Sequence, residues 1–218
     1  DRCYILDIAC NDGTLIRAYP EKFSRTGIDP SDIAAKQTDL NIINETFPLR
    51  GRVALTQNII TSIACFYDVN DPNAFVVAIK NSLTSRGIWI AEFAYWPSML
   101  SNLAFDQVLL EHVCHYHLAP FERLLEKNGL KLFRARKTNT NGGSIMVYVS
   151  HADCDIYDKE EWTSQIRELR FEEFNAELDE EETYERFRSE VTKSLAGLNE
   201  LVNSIIEKGK TLHVYGAS

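Results

Sequence analysis

Through the first 150 residues, short β-rich apolar runs alternate with stretches of helical spacing. Residues 3–9 (CYILDIA) form a continuous apolar run bounded by polar turn residues, which reads as a buried strand. The loop Cys10-Asn11-Asp12-Gly13 leads into a short helix at 14–19, stopped by Pro20. A second strand ends in Gly27-Ile28-Asp29-Pro30, and Ser31 then has the chemistry of a helix N-cap. NIITSIACF at 58–66 reads as a central strand, 71–83 as a helix and GIWIAEF at 87–93 as a further buried strand. After a helix around 121–125, two β-like runs at 130–137 and 144–150 flank Asn139-Thr140-Asn141-Gly142-Gly143. Asn-Gly between β runs signals a hairpin, so the last strands are expected to be antiparallel.

The β/α alternation implies a parallel sheet. Finished by an antiparallel hairpin, it has the layout of a class I, Rossmann-like methyltransferase sheet, and α/β is the expected fold class. From 155 to 208 the pattern is helical and highly charged, with Trp162, Ile166, Leu169, Phe171 and Phe174 at roughly helical spacing, as in one or two long, partly exposed helices. Thr211-Leu212-His213-Val214-Tyr215 then reads as a strand opening onto Gly216-Ala217-Ser218, the start of a truncated second Rossmann-like unit. The expected division is a cofactor-binding domain at 1–150, an acidic helical segment at 151–209 and the beginning of another domain at 210–218.

Charge narrows the function classes. The formal net charge is −9, and between Asp153 and Glu190 fifteen acids face five bases, so the acidity belongs to one segment. Nucleic-acid binding needs a basic face to neutralise phosphates, and a nucleic-acid partner is not expected. No run approaches the roughly 18 apolar residues of a membrane span, and DRCYILDIAC lacks the order of a signal peptide. A soluble, cytoplasmic chain without a membrane partner is the expectation. The five cysteines are scattered, odd in number and never spaced as CxxC, which suits reduced thiols and argues against a zinc knuckle.

A strand, a tight polar-glycine turn and a helix, followed by an acid at the end of the next strand, is how α/β folds hold adenosine cofactors. Here the loop runs through Asp7, Ala9, Asn11, Asp12 and Gly13, and the second acid is Asp29. Asp29 is expected to accept hydrogen bonds from ribose hydroxyls, and Asp7 to face a cationic, amino-acid-bearing ligand. The loop lacks GxGxxG, and Asp12 would repel a pyrophosphate, so NAD is disfavoured and S-adenosylmethionine favoured. The competing reading is a plain strand-to-helix turn with Asp12 as a capping acid. Asn58, Glu92 and Tyr95 fall at or just after the expected carboxyl ends of strands, where open α/β sheets bind ligands. Asn58 is assigned to the cofactor; Glu92 and Tyr95, with Trp96 beside it, to the acceptor pocket.

FDQVLLEHVCHYHL at 105–118 puts three of the five histidines within six residues. Three readings apply: a metal site, satisfied or solvated histidines, or acid/base work in which Glu111 orients His112 or holds its charge. No further ligand has an obvious reason to complete a metal site, and no metal is expected.

Taken together, LDIACNDGTLI, GIDPS, FYDVNDPNAF, GIWIAEFAYWPSML, FDQVLLEHVCHYHL, NGGSIMVYV and GKTLHVYGAS resemble the NDP-sugar C-methyltransferases of deoxysugar biosynthesis, the tetronitrose type among them. The resemblance covers nearly the whole chain in the family's order. It implies S-adenosylmethionine as cofactor, a nucleotide sugar as acceptor, and His112 with Glu111 as the pair that removes a proton from the carbon beside a C4 ketone. It implies an acceptor role for Asn141, Gly142, Gly143 and Ser144. It also implies an N-terminal zinc module and a complete C-terminal domain, of which this chain would lack the first and carry only the start of the second. Two positions depart from the family: Leu109 stands where a tyrosine is common, and Met146 where an arginine often follows the Gly-Gly-Ser loop. O-methylation of another small molecule, and a non-catalytic cofactor-binding module, are the alternatives.

Overall fold

The computed structural model describes residues 3–49 and 56–215. The chain divides into two compact units, Asp1–Asn175 and Ala176–Ser218. The first contains β1 (Tyr4–Ile8), α1 (Thr14–Ala18), β2 (Ser24–Ile28), α2 (Asp32–Ala35), β3 (Ile42–Ile43), β4 (Gln57–Ile63), α3 (Pro72–Ser82), β5 (Leu83–Ala94), α4 (Trp96–Ser101), α5 (Leu118–Lys127), β6 (Leu130–Thr138), β7 (Ser144–His151) and α6 (Glu160–Asn175).

Seven strands form one sheet in the order β3-β2-β1-β4-β5-β7-β6. β1 pairs in parallel with β2 on one side and β4 on the other, and Ile5, Leu6, Asp7 and Ile8 are all buried. Burial on both faces is why its sequence shows no alternation. β4 and β5 continue the parallel array, and β7 runs antiparallel to both β5 and β6. The chain winds outward from β1 to β3 and then crosses back to place β4 on β1's other side. The reversal makes a switch point between β1 and β4, the crevice where such sheets bind ligands.

The core collects on Phe66, fully buried in the turn after β4, whose ring meets Phe75, Trp89 and Phe121 edge-on at 5.4, 5.5 and 5.7 Å. Trp89 Nε1 donates to Ser62 Oγ at 2.8 Å, so its polar end is satisfied inside the sheet. α3 starts as its sequence predicts, with Pro72 in the first turn and Asp71 Oδ1 accepting from the Ala74 amide at 2.9 Å.

The structure adds to the sequence reading or departs from it in four places, the β6–β7 hairpin being antiparallel as expected. β3 and α4 were not expected: a two-residue strand and a six-residue helix are too short to show a period. The β6–β7 connection is a 3-10 turn at Thr140–Gly142 with Asn141, Gly142 and Gly143 all at positive φ. α6 buries Ile166 and Leu169 in the same core as the sheet, so the first unit extends to Asn175 and not to residue 150. In the second unit α7 (Glu181–Glu207) is the long helix expected, but Thr211–Tyr215 forms no strand, and Val214 and Tyr215 are almost fully exposed. A strand needs a neighbour for its backbone groups, and among the described residues none pairs with this segment. Gly216, Ala217 and Ser218 lie outside the described residues. No helix of the described residues is long and apolar enough to cross a membrane.

Candidate active site

The loop after β1 is stitched to the end of β2. The amides of Ala9 and Asn11 donate to Ile28 O at 2.8 Å and to Asp29 Oδ2 at 2.9 Å, and the Ser31 amide donates to Asp29 Oδ1 at 2.8 Å. Ala9, Asn11 and Gly13 are left-handed, with φ of 58°, 48° and 79°. Gly27 lets the loop sit this close: a Cβ there would lie 2.5 Å from Cys10 Sγ and 2.7 Å from Ile16 Cδ1. Asp12 Oδ1 accepts from the Thr14 amide at 3.0 Å, so it does the capping work of the competing reading. It also lines a cavity, so the capping bond does not remove it from the site.

The two carboxylates flanking this loop are shifted in opposite directions. Burial pushes Asp7 up to about 6, against the Thr61 hydroxyl that donates to it at 2.6 Å, and the negative Asp29 adds to the rise. Asp29 also feels burial, but hydrogen bonds from Ser31 and the Asn11 amide outweigh it and hold the carboxyl below its ordinary range.

Ala9 lines two cavities. One of about 510 Å³ runs over the sheet past Asp7, Asp12, Thr61, Ile90, Glu92, Met146 and Tyr148. The other, of about 320 Å³, is walled by Ile28, Phe47, Val69 and Phe75 with Cys65 and Asp68. Two cavities that share Ala9, with the Asp29 carboxylate held against the same loop, suit an extended ligand carrying hydroxyls and a positive charge. Burial, reinforced by nearby aspartates, pushes Cys10 and Cys65 to about 12, so neither thiol is a nucleophile at neutral pH.

Asn58 is not part of this site. It is the second residue of β4, at the end of the sheet away from the loop, where its Oδ1 accepts from the Tyr4 amide at 2.9 Å. The carboxyl end of β4 instead delivers Cys65, Tyr67 and Asp68, which the sequence reading passed over although FYDVND follows the predicted strand directly. The Tyr67 ring lies 4.3 Å from the His112 ring, and its hydroxyl, pushed up to about 12 by burial and by Asp68, is hydrogen-bonded to Asn141. Asp68 is raised by burial, and the charges of His112 and Glu111 both act on it, so the loop histidine and glutamate gather beside the smaller cavity.

His112 Nδ1 lies 2.6 Å from Gln107 O. A carbonyl only accepts, so Nδ1 carries the hydrogen and the neutral ring keeps its lone pair on Nε2. Glu111, next to His112 in the chain, is exposed, on a loop that also exposes Val108, Leu109, Leu110 and Val113. His115 stacks on Trp96 at 4.9 Å and is lowered by burial and by His112.

Glu92 is buried at the end of β5, lines the larger cavity and accepts from Thr138 and Thr140 hydroxyls at 2.5 and 3.1 Å. Tyr95 does not face a cavity: it is 1% exposed, and its hydroxyl donates to Glu173 at 2.7 Å. In the Asn141-Gly142-Gly143-Ser144 turn the glycines pack on the segment after β5. Cβ atoms there would lie 2.6 Å from Ala104 Cβ and 2.5 Å from Ser98 Cβ. Gly143 O accepts from the Tyr95 amide, Gly142 O from Asn102 Nδ2, and Ser144 Oγ donates to Thr140 O.

Glu173, in the segment read from sequence as acidic, partly exposed helix, is the other residue missed. It accepts from the Tyr95 hydroxyl and from the Leu118 and Ala119 amides, and its Oε2 lies 3.1 Å from His117 Nδ1.

Known proteins share this fold. In fold the first unit resembles a S-adenosylmethionine-dependent methyltransferase from Clostridium acetobutylicum, with TM-score 0.56 and 14% identity over 69% of this chain and 85% of that one. It also resembles the plantazolicin methyltransferase BpumL, solved with SAH, with TM-score 0.54 and 14% identity over 68% and 76% of the two chains. In sequence the chain is 25% identical, over 98% of its length, to the C-methyltransferase NovU of Streptomyces niveus, and it spans about half (52%) of that protein. Residues 2–135 match the model of a methyltransferase domain, and residues 139–218 that of a C-methyltransferase C-terminal domain. The chain belongs to the methyltransferase-domain family.

Proposed function

We propose that this chain is the S-adenosylmethionine-binding part of a cytoplasmic C-methyltransferase whose acceptor is a nucleotide-linked keto-deoxysugar. The observation that carries the reading is Asp29, fixed by two backbone amides against the β1–α1 loop, whose Ala9 lines both cavities and which offers no glycine nest for phosphate. The donor set fits the cofactor. Asp29 keeps lone pairs for ribose hydroxyls, the cavity walled by Phe47 and Val69 suits an adenine, and the acidic cavity at Asp7 suits an ammonium group. Bound S-adenosylmethionine supplies an electrophilic methyl group on a sulfonium.

The chain's own task is to make a carbon nucleophile. His112 Nε2 accepts the proton from the carbon beside the sugar ketone, leaving an enolate, and the neighbouring Glu111 carboxylate offsets the imidazolium charge through solvent. The C-methyltransferase match of residues 139–218 and the likeness to NovU support carbon over oxygen as the acceptor atom.

Isothermal titration with S-adenosylmethionine tests the cofactor. Asp29→Ala is expected to weaken binding about tenfold to hundredfold, the worth of one or two hydrogen bonds to a charged group. Wild-type protein that takes up no cofactor sinks the reading.

Asp7 adds a pH signature. Burial holds its proton up to about 6 in the free protein, and a cation beside it favours the ionised form. Affinity is therefore expected to rise with pH through about 6 and then level off, with proton release on binding below that point. Asp7→Asn should flatten the profile in titrations run from about pH 5 to about pH 8.

A further inference from the structure

The sheet face that carries the larger cavity changes charge at its far edge. Glu92, Met146 and Arg136 lie in one cross-strand row, and Ile90, Tyr148 and Arg134 in the next. Residues directly opposed in an antiparallel ladder share a face, so both arginines stand on the cavity side, next to the Met146 and Tyr148 that line it.

A local irregularity puts Arg134 there. The β6–β7 register shifts between Leu132 and Arg134, which makes Phe133 an extra residue and sets Arg134, in its place, opposite Tyr148. Bulges of this kind re-aim side chains beside functional sites. Phe133 stacks on Tyr157 at 4.7 Å, which anchors the bulge.

Neither guanidinium has an acid partner among the described residues. Arg134 lies 5.2 Å from the Tyr148 ring centre and 5.4 Å from that of Trp162, and its Nε is buried without a hydrogen-bond partner. Arg136 Nη2 reaches only Met146 Sδ, a weak acceptor, at 3.2 Å. Neighbouring cations are engaged, Lys131 with Asp158, Lys137 with Glu172 and Arg170 with Glu122. In a chain of net charge −9, two adjacent guanidiniums without carboxylates, one of them braced by aromatic rings, have a planar array of donors to offer.

We propose that Arg134 and Arg136 form an anion subsite on the β6 rim of the larger cavity, which takes the diphosphate of the acceptor. Guanidinium forks match phosphate oxygens in pairs. The polarity of the cavity fits: Asp7 and Asp12 repel an anion at the β1 end, and the arginines attract it at the β6 end. This assignment rests on the nucleotide-linked acceptor proposed above.

Titration of the full chain at low salt with inorganic pyrophosphate and with thymidine diphosphate tests it. The double variant Arg134→Gln/Arg136→Gln is expected to bind both probes about tenfold or more weakly, with S-adenosylmethionine affinity and thermal melt unchanged. Lys22→Gln, an exposed cation in the turn before β2, should leave both probes unaffected. Undiminished pyrophosphate binding by the double variant, equal loss in Lys22→Gln, or no binding by the wild type overturns the subsite. Wild-type protein that binds S-adenosylmethionine but not pyrophosphate removes this subsite alone, whereas failure to bind S-adenosylmethionine removes the cofactor reading whatever pyrophosphate does.

Discussion

His112→Ala is expected to lower methyl transfer by about 10² to 10⁴-fold, the usual worth of a positioned general base, with little change in cofactor affinity. The Gln107 carbonyl holds the Nδ1 hydrogen and leaves Nε2 as the acceptor, and the Tyr67 ring at 4.3 Å limits how the imidazole can turn. Tyr67 itself stays a neutral phenol, since burial and Asp68 push it to about 12, so it does not compete as a base. Exchange isolates the step: wild-type protein in deuterium oxide should introduce deuterium at the carbon beside a keto-sugar carbonyl, read by NMR, without any methyl transfer. His112→Ala should lose that exchange, and exchange that survives the substitution assigns the base elsewhere. Glu111→Gln is expected to cost less, roughly tenfold, because an exposed carboxylate acts on the imidazolium through solvent.

The sheet was legible because its signals are local. A two-faced buried strand shows as an unbroken apolar run, as in YILDI, and helix starts show in the chemistry of Ser31 and Asp71, whose oxygens do accept from the Ala34 and Ala74 amides. The Asp7–Asp29 pair was readable for the same reason: each acid ends a strand, and adjacent parallel strands end side by side. Asn58 was assigned to the carboxyl end of a strand, but it stands at the amino end of β4. In a parallel sheet only the carboxyl ends face the crevice, and the residues there are Cys65, Tyr67 and Asp68.

What stayed hidden depends on long-range packing. Tyr95 follows a strand end, as acceptor-pocket residues do, yet it turns into the core because a carboxylate 78 residues later accepts its hydroxyl. Arg134 looks from the alternation of β6 like a residue of the opposite face from the one it occupies, and only the register shift at Phe133 corrects that. Thr211–Tyr215 has the composition of a strand and no ladder to join. The acidic count from Asp153 to Glu190 described a solvated surface correctly on average and concealed one buried glutamate.

That glutamate supplies the largest expected effect on stability. Glu173 joins the segment after β5, through Tyr95, to the first turn of α5, through the Leu118 and Ala119 amides and His117. Those two points bracket the loop that carries Glu111 and His112. Glu173→Ala leaves a buried phenol and a buried amide without an acceptor, at about 1–3 kcal/mol each, so a loss on the order of 3 kcal/mol is expected in denaturant unfolding. The pH sign follows from the carboxyl's state. Burial raises it, but hydrogen bonds from His117, the Leu118 amide and Tyr95 outweigh this and hold it below the usual glutamate value. A lowered folded-state value means the stabilisation is complete above the ordinary carboxylate range and is lost as pH falls through that lower value. Glu173→Gln keeps one acceptor oxygen for Tyr95 and Leu118, so it should recover part of the stability while flattening the acid limb of the unfolding profile. If Glu173 positions the loop as well as stabilising the fold, Glu173→Gln should lower kcat at temperatures where the protein is fully folded and leave cofactor affinity intact. An unchanged kcat in that variant confines Glu173 to a structural role.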